Sequence, residues 1–100
     1  MRLLDSLFVG ADVKELETVL YSLRRRIPVA RLYCIVLFED KKRMEIMVSR
    51  QLFTPKYADR PYVIAGIAMG RQEAVEVFCF LLEEAVREGR DLTKPEEWIR

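Results

Sequence analysis

The chain has 100 residues, 51% of them apolar and 33% charged, with a formal net charge of +1. That length holds one core, and that composition excludes a disordered, collagenous or disulfide-built chain. Histidine is absent, which removes the usual general base and the commonest ligand of catalytic zinc.

Leu3 to Val9 is apolar enough for a strand or a helical turn, and too short for periodicity to decide. Asp12 with Glu15 three places on has the form of a capping box. Val13, Leu16, Leu20, Leu23 and Ile27 then recur at helical spacing. A helix is expected here, closed by Arg24-Arg25-Arg26, whose cations suit the negative end of the helix dipole, and stopped by Pro28.

Leu32 to Phe38 is apolar at every position, the pattern of a central strand covered on both faces. After the polar turn 39–42, Arg43 to Arg50 alternates as a hairpin partner. Gln51 to Pro61 reads as a loop and Tyr62 to Ala68 as a third strand. Arg71 to about Glu88 reads as a second helix, ended by Gly89. Asp91 to Arg100 adds a turn around Trp98.

The expected fold is α+β, a two-layer sandwich in the order (β)-α-β-β-β-α. Its sheet has three or four mainly antiparallel strands, with both helices on one face. Such a sandwich leaves the other face of Leu32 to Phe38 bare, so the sequence predicts self-association. Phe80 points the same way. It falls among Glu73, Glu76, Glu83 and Glu84 on the outer arc of the second helix. Leaving it in water costs roughly 1.5–3 kcal/mol, so it is expected to lie under the Trp98-Ile99 tail or a second subunit.

Charge is unevenly spread. Residues 24–71 carry eleven Lys or Arg against four acids, a balance of +7, while 72–100 carry eight acids against four bases. Arg50, Lys56, Tyr57 and Arg60 interleave cations with aromatic rings, as surfaces for single-stranded nucleic acid do. Gly66 and Gly70 flank a strand-to-helix junction, and Arg71 opens the helix, where backbone N–H groups favour anions. Neither a P-loop nor a dinucleotide fingerprint is present.

Cys34 and Cys79 stand among large apolar neighbours without a CxxC pair and are expected to be reduced and buried. Asp5 and Asp12 break any signal-peptide core, and no apolar run approaches a bilayer span. A cytoplasmic protein with no membrane partner is expected. No nucleophile motif or metal-ligand spacing occurs, so no catalytic residue, metal or cofactor is assigned.

The sequence therefore predicts a small non-enzymatic interaction or assembly module, homodimeric through Phe80, Trp98 and Ile99. One alternative is binding of nucleic acid or a phosphate ligand through the basic region 24–71. Another is a small enzyme whose carboxylates meet at a dimer interface.

Overall fold

A computed structural model describes residues 1–99. Its elements in chain order are β1 (Arg2–Val9), α1 (Leu16–Arg24), β2 (Leu32–Phe38), β3 (Arg43–Val48), the short α2 (Ser49–Leu52), β4 (Tyr62–Met69) and α3 (Arg71–Arg87). Single 3-10 turns lie at Pro55–Tyr57 and Pro95–Glu97. The α+β class holds, and Leu3 to Val9 belongs to a strand.

The four strands form one sheet in the order β1-β4-β2-β3. β2 runs antiparallel to both β3 and β4, while β1 runs parallel to β4. The sheet is thus mixed: β4 comes back beside β1 only after α1 and the β2–β3 hairpin, and runs in the same direction.

The two main helices do not share a face. Val19 and Leu23 of α1 pack with Leu32, Cys34, Val36 and Phe38 of β2 on one side. Ala74, Val77 and Leu81 of α3 pack with Ile35, Ala65 and Ala68 on the other. The expectation of two layers is therefore corrected to three, helix on sheet on helix. The reason lies in the strands themselves. Every residue of β4 except Met69 is buried, as is every residue of β2 except the half-buried Tyr33. Strands that are apolar on both faces need both faces covered, and a short chain meets that demand with one helix per side.

This correction reaches the dimer expectation. Leu32 to Phe38 is sealed by the chain's own helices, so the bare sheet face that called for a second copy does not exist.

Residues beneath α3 are small. The pairing of β2 with β4 slips between Ile35 and Val36, a bulge that leaves Ala65 as the extra residue. A Cβ on the adjacent Gly66 would lie 3.1 Å from Ile35 Cδ1 and 3.3 Å from Val77 Cγ1. Gly66 is thus a packing residue that lets α3 approach the sheet.

Helix α1 starts later than its periodicity suggests. Glu15 is left-handed (φ 50°) and no side chain caps the helix, so the capping box expected from Asp12 and Glu15 does not form. The backbone N–H of Asp12 instead donates to Glu73 Oε2 of α3 at 2.8 Å. Val13, although outside the helix, is still buried.

Candidate anion-binding site

At the end of the sheet where β2 begins and β3 ends lies an open recess of about 570 Å³. Tyr33 and Val48, which are register partners across β2 and β3, both line it. Pro28, Val29 and Ala30 add an apolar wall from the α1–β2 loop, and Gly70 stands at the start of α3. Three arginines complete it: Arg31 just before β2, Arg50 in α2, and Arg71 at the first position of α3.

The charge of this recess is one-sided. No carboxylate lines it, and Arg31, Arg50 and Arg71 make no ion pair among the described residues. Arg71 also sits beside first-turn N–H groups of α3, which a helix leaves without intrahelical acceptors. Positive charge and helix dipole thus add at one place. The nearby acid, Glu73, turns away. Its Oε1 accepts from the backbone N–H of Met69, and its Oε2 takes that of Asp12.

Two local devices hold the walls. The hydroxyl of the fully buried Ser49 accepts from the backbone N–H of Val29 at 3.0 Å and donates to its carbonyl at 2.9 Å. That pairing ties the start of α2, and hence Arg50, to the α1–β2 loop. The N–H of Gly70 donates to the Arg31 carbonyl at 3.0 Å. Both residues of this bond have positive φ, Gly70 at 82° and Arg31 at 64°. Glycine takes such a conformation freely, whereas for arginine it costs about 1 kcal/mol.

Of the residues singled out from sequence, Arg50, Gly70 and Arg71 meet here. Lys56, Tyr57 and Arg60 do not. They cluster at the opposite end of β2, where the rings of Tyr57 and Phe38 are 5.6 Å apart. The guanidinium of Arg60 lies over Phe38 and pairs with Asp40 at 3.3 Å, and Arg60 hydrogen-bonds hold the Asp40 carboxyl below its usual range. Arg26 is likewise engaged, donating to the Tyr62 hydroxyl at 2.7 Å.

Phe80 is half exposed (50%) and meets Phe8 of β1 edge to face, with ring centroids 5.8 Å apart. In the tail, the Trp98 ring lies against Phe78, 6.2 Å between centroids, and Ile99 packs partly buried on the α3 side of the sheet. Trp98 Nε1 donates to the Asp91 carbonyl, and Arg90 donates to the Trp98 carbonyl. Cys79 is exposed on α3, contrary to expectation, while Cys34 is buried. Burial pushes the Cys34 thiol up to about 12.

Sequence reasoning missed Arg31, Tyr33, Val48 and Ser49 as site residues. Arg31 was visible only as one of eleven basic residues, and Tyr33 only as part of an apolar strand. The register of Tyr33 opposite Val48 follows from the hairpin and would have placed Tyr33 next to Arg50.

No family model, curated protein or solved structure matches the chain. No helix among the described residues is long and apolar enough to cross a membrane.

Proposed function

We propose that this protein binds a multiply charged anion, phosphate groups being the best chemical match, in the recess between β2, β3 and the start of α3. The observation that carries this reading is the convergence of Arg31, Arg50 and Arg71 on one cavity that contains no acid. All three arginines are exposed, and their like charges make the recess attractive to an anion. Arginine suits phosphate because its planar fork donates two parallel hydrogen bonds. The expected protein is thus a ligand-binding module.

Calorimetric titration with pyrophosphate at two salt concentrations tests this. Saturable one-to-one binding that weakens as salt rises supports it. Absence of binding at low salt overturns it.

A second reading, self-association, retains support from the outer side of α3. Val75 and Val86 are exposed there, with Cys79 between them, and Phe80 is half exposed. Their apolar area would favour a helix-to-helix contact between copies. Sedimentation at micromolar concentration decides it: a dimer supports the reading, and a single species of 11.8 kDa removes it.

A further inference from the structure

We infer that the anion is carried on a planar ring, so that the ligand is a nucleotide whose base rests against Tyr33 and Val48 while its phosphates meet Arg31, Arg50 and Arg71. This rests on the anion reading above and goes beyond it to a ligand class.

A site for a bare inorganic anion needs little space and polar walls. This recess, at about 570 Å³, falls in the range of pockets that enclose small organic ligands, roughly 300–1,000 Å³. A water occupies roughly 30 Å³ of liquid, and a phosphate ion only a few times that. Most of the cavity would remain for something else. What surrounds that remainder is apolar: Tyr33, Val48 and the Pro28–Ala30 wall. The half-buried Tyr33 is the aromatic group lining the recess, and every nucleobase has a face that stacks on such a ring. Three cations match the two or three negative charges of a nucleoside monophosphate or diphosphate.

The other basic residues argue for a single nucleotide over a long strand. Arg60 and Lys56 lie at the far end of β2, and Arg26 is bonded to Tyr62 within the α1-side core. Among the described residues, Arg60, Lys56 and Arg26 are thus not placed to guide a strand away from the recess. The same chemistry fits a free nucleotide or the terminal nucleotide of a strand, and the probes below separate them.

The test titrates the full chain with pyrophosphate, ribose 5-phosphate, AMP, ADP and a series of 5′-phosphorylated single-stranded oligonucleotides. Base stacking should make AMP bind more tightly than ribose 5-phosphate, by roughly 5- to 150-fold. Tyr33→Ala should abolish that ratio, whereas Tyr33→Phe should keep it. If Tyr33→Ala fails to fold, the AMP to ribose 5-phosphate ratio of the unaltered chain still decides. Equal affinity for those two ligands, with pyrophosphate still bound, overturns the nucleotide assignment and leaves the anion reading standing. Failure of all five probes overturns both. An oligonucleotide that binds no better than AMP at any length marks a one-nucleotide site, with free and terminal nucleotides as equivalent ligands. Affinity that climbs with strand length overturns the single-nucleotide assignment.

Discussion

The N–H of Gly70 donates to the carbonyl of Arg31 across 3.0 Å, joining the residue before α3 to the residue before β2. Because Arg31 supplies that carbonyl and Arg71 follows Gly70, both arginines are placed on one recess by backbone already fixed in place. Preorganisation of this kind lowers the ordering cost of binding. Arg31 meets that requirement in a left-handed conformation that arginine disfavours.

A substitution at this position should therefore separate stability from binding. Arg31→Gly relieves the positive φ, so the variant is expected to equal or exceed the parent in stability, by up to about 1 kcal/mol. Its pyrophosphate affinity should fall about tenfold, as expected for one lost charge-assisted hydrogen bond. Urea denaturation and calorimetry on the same sample check the pair. A variant that loses stability would show that the arginine side chain is needed for folding.

Ser49 acts on the same walls from the other side. Ser49→Ala leaves the N–H and carbonyl of the half-buried Val29 without their partner, at a cost of about 1–3 kcal/mol. Binding should weaken less than in Arg50→Ala, since the charge itself remains. Equal stability of Ser49→Ala and the parent would mean that water replaces the hydroxyl.

Gly10 and Glu73 should behave as one unit. A Cβ on Gly10 would collide with the Glu73 carboxylate, displacing it from the N–H groups of Met69 and Asp12. Gly10→Ala and Glu73→Ala are each expected to destabilise by about 2 kcal/mol. The double variant should cost little more than either alone, because both changes break the same bonds. Additive losses would disprove the shared mechanism.

The two cysteines should differ sharply. Exposed Cys79 is expected to react with a thiol reagent at neutral pH in the folded protein, and Cys34 only after unfolding. The Cys34 thiol moves from an ordinary value of 9.0 to about 12 because it is buried. The unfolded chain releases that proton near pH 9, whereas the folded chain holds it until about 12. The stability this group contributes is thus full below pH 9 and is lost as pH rises toward 12. Denaturant midpoints of the parent and Cys34→Ala should converge over that interval; a constant gap would refute the linkage.

Much of the fold was legible because it depends on pattern. The apolar run of β2, the alternation of β3 and the 3.6-residue stripes of both helices locate those elements. The pattern does not say which side of a sheet a helix will choose. Leu32 to Phe38 held the answer, since a strand apolar on both faces demands covers on both. The simpler assumption of short connections on one face led instead to a missing partner. Val75 and Val86 of α3 are apolar yet both are exposed, and the helix meets the sheet through the narrower set Ala74, Val77 and Leu81. The site was half visible. Arg50, Gly70 and Arg71 carried a charge or backbone signal of their own, whereas Arg31 and Tyr33 became site residues only through strand register and the Gly70 bond.

Arg31, Arg50 and Arg71, far apart in the chain, should act as one site. Backbone amide NMR during a pyrophosphate titration tests it most directly. The largest shifts should fall on Arg31, Tyr33, Val48 to Arg50 and Gly70 to Glu73, saturating together with one dissociation constant. Shifts centred on Lys56 to Arg60 or on Arg24 to Arg26, with the recess unmoved, would contradict it.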